Sequence, residues 1–172
     1  MHSITRLSGD DFPGRVDDLA DVLAEVVAEG ASVGFLSPFE RSAAAAWWHA
    51  RHRAVADGSL AVWVCRGPEG VVGTVGLALE RKPNGRHRGE VVKLLVRPGA
   101  RGRGLGRALL GTAEQAATRA GVTLLMLDTV TGSPAERLYH SAGWTRFGVV
   151  PDYASDPAGL LEDCSFFYKR LV

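Results

Sequence analysis

The sequence has few cysteines, no long apolar run and almost no net charge, and each shortage excludes a class of protein. Its only two cysteines, Cys65 and Cys164, form no CxxC pair, and no His/Cys cluster has metal-ligand spacing. We therefore expect reduced, buried thiols and no metal. No apolar stretch is long enough to cross a membrane, and residues 1–10 lack the apolar core of a signal peptide. We expect a soluble, cytoplasmic protein.

The net charge and the length indicate which partners and how many domains to expect. The formal net charge of +1 supplies no overall field that would hold the chain on nucleic acid or on an acidic membrane, so neither is an expected partner. With 172 residues, 46% of them hydrophobic and 23% charged, the chain has the size and composition of one packed domain. We expect residues 1–172 to form a single domain.

Apolar spacing and turn residues predict an α/β chain in which antiparallel strands precede a right-handed parallel strand–helix–strand unit. The sequences Ser37-Pro38-Phe39-Glu40 and Ser133-Pro134-Ala135-Glu136 each predict a capping box with proline at the first helical position. The predicted strands lie near residues 4–7, 60–66, 71–80, 90–97, 122–130, 147–150 and 165–171, and the predicted helices near 16–29, 38–57, 105–120 and 134–142.

The segment between the predicted strand 90–97 and the helix 105–120 has the composition of an anion site. Gly102, Gly104 and Gly106 allow the backbone to approach a ligand closely, and the free N–H groups at the start of a helix attract an anion. Arginines at positions 101, 103 and 107 add positive charge at the helix end where the dipole does not favour it. An anionic ligand such as a pyrophosphate explains this combination.

Two common phosphate motifs do not fit this segment. A P-loop requires Gly-Lys, and that dipeptide does not occur in the chain. The Rossmann pattern G-x-G-x-x-G fails in both registers, because its last position is occupied by Arg107 or by Leu109. Both nucleotide-site interpretations are therefore weak.

The pattern that does fit is R/Q-x-x-G-x-G/A, through Arg101, Gly104 and Gly106, preceded by V-x-P at residues 96–98. A second pattern, A-x-x-L-Y-x-x-x-G-F/W, runs from Ala135 to Trp144. Together they resemble the GNAT superfamily of N-acetyltransferases over nearly the whole chain. The resemblance implies a mixed, mostly antiparallel sheet of six to seven strands with about four flanking helices, and acetyl-CoA as co-substrate.

Four short stretches resemble the tabtoxin-resistance acetyltransferases within that superfamily: residues 29–35, 82–85, 127–129 and 151–153. Proteins of that group acetylate a small, amino-acid-like β-lactam toxin. The resemblance implies a small-molecule amine as the acceptor and a function related to antibiotic resistance.

The superfamily resemblance also assigns roles to residues of the cofactor site. Backbone groups of Leu94, Leu95 and Val96 would hold the pantetheine arm and polarise the thioester carbonyl. Gly132 stands where the family often has an asparagine that contacts the cofactor, so Ser133 is the candidate for that contact. The pyrophosphate would be held by Arg101, Gly102, Arg103, Gly104, Leu105, Gly106 and Arg107.

Three side chains are candidates for the chemistry. Tyr139 would protonate the departing sulfur, although a core aromatic would show the same helical spacing. Asp128 is the first candidate for the general base, since burial at the end of an apolar strand would raise its pKa; the alternative is an aspartate that caps the next turn. Glu90 is the second candidate, and the alternative for it is a solvated residue at the start of a strand.

Other interpretations stay open at this stage. A non-catalytic acyl-CoA sensor would keep the loop, and an enzyme that acetylates a protein N-terminus or a lysine would share the fold. The acceptor, the preferred acyl chain and the oligomeric state, a homodimer included, are left open by the sequence. The tryptophans Trp47, Trp48 and Trp63 are expected in the core or an interface rather than as a substrate platform.

Overall fold

A computed structural model describes residues 1–171, which fold around one seven-stranded sheet with strand order β1-β2-β3-β4-β5-β7-β6. The strands are β1 (Ser3–Arg6), β2 (Leu60–Gly67), β3 (Gly70–Leu79), β4 (Arg88–Val96), β5 (Leu124–Val130), β6 (Thr145–Ser155) and β7 (Leu161–Arg170). The α-helices of this region are α1 (Val16–Ala28), α2 (Arg41–His49), α3 (His52–Ala56), α4 (Leu105–Arg119) and α5 (Pro134–Ser141).

The pairing of the strands follows the predicted topology. Neighbouring strands pair antiparallel except β4 and β5, which pair parallel and are connected through α4. The short turns between β2 and β3 and between β6 and β7 give hairpins, whereas a parallel pair needs a helical crossover. The predicted mixed, mostly antiparallel sheet is confirmed.

Two apolar clusters cover opposite faces of the sheet. The amphipathic helix α4 and Tyr139 of α5 pack on one face, against residues such as Leu77 and Phe167. The helices α1, α2 and α3 cover the other face over β2, β3 and β4. Trp48 and Trp63 are buried as predicted, and Trp48 donates its indole N–H to the carbonyl of Leu19. The sheet thus lies between two layers of helices.

The predicted helix 38–57 is wrong at its start and in its middle. The N–H of Ser37 donates to the carbonyl of Pro157 at 2.8 Å, which holds this segment as a loop against the β6–β7 turn. The helix begins at Arg41, and its N-cap Glu40 makes no side-chain capping bond, so the predicted capping box at Ser37 does not form. A break at Ala50 and Arg51 separates α2 from α3, which raises the helix count to five.

The predicted strands 147–150 and 165–171 are too short. Strand β6 continues through Asp152, whose left-handed φ of +50° accompanies a break in its register with β7. The two strands therefore form a long hairpin whose turn is confined to residues 156–160. Within residues 1–171, no helix combines the length and the apolar character that a membrane span requires.

Candidate active site

The central feature of the site is a cleft where β4 and β5 separate. The two strands pair only where residues 88–90 meet 124–126, and no further pairing joins them in the described chain. Opposite β3, the register of β4 shifts between the pairs Thr74–Leu95 and Gly76–Val92, and Lys93 in this bulge has a φ of +49°. A bulge bends its strand and breaks the ladder. Backbone groups of the predicted residues Leu94, Leu95 and Val96 therefore line an edge that faces the cleft.

Tyr139 reaches this cleft from α5. Its ring is buried and packs against Trp144 and Phe167, with centroid separations of 6.0 and 5.9 Å. Its hydroxyl makes no hydrogen bond to any residue of the described chain. Burial and then the negative charge of Asp128 raise the pKa of the phenol, so it keeps its proton at neutral pH. A buried ring with an unengaged hydroxyl meets the requirement for a proton donor.

Asp128 is not buried, contrary to the prediction. It lies near the C-terminal end of β5 with its side chain exposed, because the separation of β4 from β5 opens this part of the strand. The thiol of Cys164 donates to its Oδ2 at 3.2 Å. Burial and the contact with Asp128 raise the pKa of Cys164 to about 12, so the thiol stays a neutral donor. The expected burial of both cysteines is confirmed, but no sequence pattern predicts this contact.

Glu90 lies on β4 at the last residue pair before the strands separate. The residue is exposed overall, and its carboxyl-bearing side chain lines a shallow pocket with Glu80, Arg88 and Met126, where β3, β4 and β5 are still paired. Burial of that carboxyl, followed by the negative charge of Asp128, raises its pKa, and the positive charge of Lys93 opposes the rise. The negative charge of Asp128 thus acts on both Glu90 and Tyr139, so the structure brings these three side chains to one region of the site.

The predicted pyrophosphate loop leads into an open helix N-terminus. Gly102 and Gly104 both have a φ of +75°, a left-handed backbone that glycine adopts without a steric penalty. Gly104 is the N-cap of α4, no side chain caps it, and the first N–H to find a helical carbonyl belongs to Ala108. The N–H groups of Leu105, Gly106 and Arg107 precede that bond, which is the arrangement that binds an anion.

The arginines of this loop are exposed and held by local contacts. Arg101 forms an ion pair with Glu29 at 2.6 Å and donates its Nε to the carbonyl of Val96. Arg103 donates to the carbonyl of Gly99, and Arg107 to Ser141 on α5. The contact with Glu29, which partly neutralises the loop, was not predicted from the sequence. A bound pyrophosphate would compete with this carboxylate for Arg101.

Ser133 is engaged in the structure of α5. Its hydroxyl caps the helix by accepting the N–H of Glu136 at 3.1 Å, which is one half of the second predicted capping box. The other half does not form, because the carboxylate of Glu136 accepts the N–H of Gly132 instead of that of Ser133. The hydroxyl also lies 3.3 Å from that of Thr129. The preceding Gly132 has a φ of +78°, in the left-handed region that glycine adopts routinely and asparagine tolerates better than most residues. Either residue therefore suits this position. Contact of Ser133 with a cofactor stays a prediction.

Two further polar side chains near the site were missed in the sequence. Lys93 interrupts the apolar run of residues 91–96, which was a usable signal, and Arg51 lies between α2 and α3. Both contact Trp47, which is half-buried rather than a core residue. Within residues 1–171, no cluster of three or more His, Cys, Asp or Glu side chains is arranged to hold a metal ion.

Comparison with known proteins identifies the family. The chain matches the Acetyltransferase (GNAT) family over residues 24–144. It belongs to this family. It is 38% identical to the IAA acetyltransferase of Azospirillum brasilense over 73 residues, which are 42% of this chain and 48% of that protein. It is 35% identical to N-acetyltransferase 8B of Rattus norvegicus over 96 residues, 55% of this chain and 43% of that one. The chain thus matches less than half the length of these curated relatives.

Solved structures agree on the fold of this GNAT chain. The protein yncA of Salmonella typhimurium, solved with its cofactor acetyl-CoA, superimposes with a TM-score of 0.77 at 22% identity and covers 99% of this chain and 94% of its own. The ribosomal-protein-alanine N-acetyltransferase of Brucella melitensis gives a TM-score of 0.75 at 24% identity, with 98% and 99% covered. At this identity the likeness establishes the fold alone.

Proposed function

We propose that the protein is an acetyl-CoA-dependent N-acetyltransferase that acetylates the amine of a small molecule by direct attack on the thioester. The observation that carries this proposal is the convergence of three features on the β4–β5 cleft. These are the uncapped N-terminus of α4, the unengaged hydroxyl of Tyr139, and the carboxylates Asp128 and Glu90. Family membership supports the same reaction class.

The residues around the cleft fit acetyl-CoA. The first turn of α4 and the left-handed glycines 102 and 104 offer N–H groups to a pyrophosphate. The freed edge of β4 at Leu94, Leu95 and Val96 offers backbone groups to the pantetheine amides and to the thioester carbonyl. The thioester supplies an activated acyl carbon, and the protein's task is to orient it and to move two protons.

The proton transfers are assigned to side chains at the cleft. A protonated amine is no nucleophile, so Glu90 or Asp128 removes a proton from the acceptor before its nitrogen bonds to the thioester carbon. Backbone N–H groups of β4 stabilise the negative oxygen that develops on that carbon. When the carbon–sulfur bond breaks, Tyr139 gives its proton to the sulfur. The nitrogen then loses its second proton, which returns to the tyrosine through solvent, and the carboxyl group releases the first proton to solvent. The products are an N-acetyl amine and CoA.

The acceptor is proposed to be a small molecule, with an amino-acid-like toxin or antibiotic as the first choice. The stretches that resemble tabtoxin-resistance acetyltransferases support this choice. So do two contacts that tie the α1–α2 loop to the β6–β7 hairpin, from the N–H of Ser37 to Pro157 and from the hydroxyl of Ser32 to Ser155. These contacts fix the two segments against each other, and we infer that they narrow the access of an extended peptide. Free, buried thiols support a reducing, cytoplasmic setting.

The proposal is tested by a CoA-release screen with acetyl-CoA and single acceptors. The acceptors are amino acids, β-lactam amino acids, aminoglycosides, polyamines and short peptides, and each product is checked by mass. We expect one acetyl increment on a small amine and none on the peptides. Acetyl-CoA binding without transfer to any acceptor would identify a non-catalytic sensor, and transfer to peptides alone would identify a protein acetyltransferase.

A further inference from the structure

Two cationic side chains lie on one tryptophan beside the proposed acceptor site. The guanidinium carbon of Arg51 lies 3.5 Å from the centroid of the Trp47 ring. The Nζ of Lys93 lies 5.2 Å from the same ring and 5.8 Å from that of Phe35. Cation–π contact of this kind stabilises a cation only modestly. It does not replace a counterion.

Neither cation has an acidic partner in the described part of the chain. Lys93 donates to the carbonyl of Val33 at 3.0 Å, and Arg51 donates to the carbonyl of Trp47 at 2.8 Å. None of the ion pairs formed among residues 1–171 includes either residue. A lysine has three N–H donors and an arginine five, so most of their hydrogen-bonding capacity is unused.

Both groups are partly withdrawn from water and repel each other. Burial lowers the pKa of Arg51. Burial also lowers the pKa of Lys93, and the positive charge of Arg51 acts on it more strongly than the opposing charge of Asp128 or Glu90. The strongest charge acting on Lys93 is therefore a like charge. Partly buried cations without a counterion are costly, and a bound anion would remove that cost.

The cations share the site with the proposed catalytic carboxylates. Asp128 and Glu90 both act electrostatically on Lys93, which projects from the bulge that opens the cleft. The site thus has an acidic side at Asp128 and Glu90 and a basic side at Lys93 and Arg51. A ligand that complements both sides carries an amine and an anionic group on one small frame.

We propose that the acceptor bears a carboxylate or a similar oxyanion, which Lys93 and Arg51 bind while the reacting amine faces Glu90 and Asp128. This inference rests on the proposed function. It narrows the acceptor class to amino acids and their oxyanion analogues and excludes purely cationic amines such as polyamines. Lys93 and Arg51 are specificity residues and take no part in proton transfer.

The test compares α-amino acids with their carboxamides, which keep the amine but lack the negative charge. Hydrogen bonds to charged groups contribute about 1.5–3 kcal/mol, so we expect the acid-to-amide ratio of kcat/KM to fall about 10–100-fold in Lys93→Met and in Arg51→Met. Comparing the ratio between proteins cancels the different basicities of the two amines. Arg53→Met is the matched control, because Arg53 is an exposed cation of the neighbouring α3. It should keep the wild-type ratio.

The outcomes separate this inference from the proposed function. An unchanged acid-to-amide ratio of kcat/KM in both variants, with a lowered melting temperature in Lys93→Met, would overturn the inference. Lys93 would then only hold the loop in place through its hydrogen bond to Val33. If no acid or amide is acetylated, calorimetry with CoA present decides instead. Binding of the amino acid that disappears in Lys93→Met and persists in Arg53→Met supports the inference, whereas equal binding in all three proteins overturns it.

Discussion

Replacement of Tyr139 by phenylalanine separates the chemical role of this residue from its structural one. The ring packs between Trp144 and Phe167, and phenylalanine keeps both contacts. The hydroxyl has no hydrogen-bond partner within residues 1–171, so its removal leaves no partner group unsatisfied. Since hydrogen-bond loss is costly mainly when a partner is stranded, we expect the free energy of unfolding to change by less than about 0.5 kcal/mol.

Turnover of the Tyr139→Phe variant should fall while cofactor affinity holds. General acid catalysis contributes about 10²–10⁴-fold, and a CoA thiolate is a fair leaving group, so we expect kcat to fall about 100-fold. Because the pKa of Tyr139 is raised, the phenol is protonated throughout the neutral range and the deficit should not depend on pH there. Affinity for acetyl-CoA should stay within a few-fold.

The assay is steady-state kcat at saturating acetyl-CoA, together with thermal melts and a pre-steady-state trace. Absence of a product burst shows that chemistry limits the rate. Equal kcat values for the two proteins under that condition would refute the assignment. Tyr139 would then be a packing residue, and water would protonate the thiolate.

Three further predictions concern the loop, the base and the thiol. Gly104 has a left-handed φ of +75° and open space where a Cβ would lie. A valine side chain there would stand where the pyrophosphate approaches the backbone, so Gly104→Val should weaken acetyl-CoA binding at least about tenfold in calorimetry. Gly121→Val, matched in φ and space at the other end of α4, should bind normally; equal affinities would refute the loop assignment. If Glu90 is the base, its raised pKa places the acid limb of the pH profile of kcat/KM above the usual glutamate pKa of about 4.5. This limb should vanish in Glu90→Gln but persist in Asp128→Asn. The reverse result would assign the base to Asp128. Cys164→Ala should lower kcat about 2–10-fold through Asp128, with Cys164→Ser restoring it, and no recovery in the serine variant would contradict a positioning role.

Local patterns were sufficient for the framework of the site. The glycines of the 101–107 loop, the crossover helix α4 and the Ser133 cap of α5 depend on neighbours in sequence, and the structure has them where they were predicted. The parallel β4–β5 pair follows from the same local order. These features need no knowledge of distant contacts.

The features that were missed depend on contacts between distant parts of the chain. The capping box at Ser37 failed because the N–H of Ser37 bonds to Pro157. The pairing of Arg101 with Glu29 joins the loop to α1. Lys93 approaches Arg51 only because a bulge turns it toward α2, and no single window of sequence contains both. Asp128 is exposed because two strands separate, which the apolar pattern of β5 alone does not indicate.

The central claim is direct transfer of an acetyl group from acetyl-CoA to an amine. Its most direct test is mass spectrometry of one reaction mixture that contains the protein, acetyl-CoA and the best acceptor of the screen. The masses of the acceptor and of the protein are both measured. We predict an acceptor heavier by one acetyl group, an equal amount of free CoA, and a protein of unchanged mass. Free CoA with an unmodified acceptor, or an acetyl group found on the protein in that mixture, would contradict direct transfer.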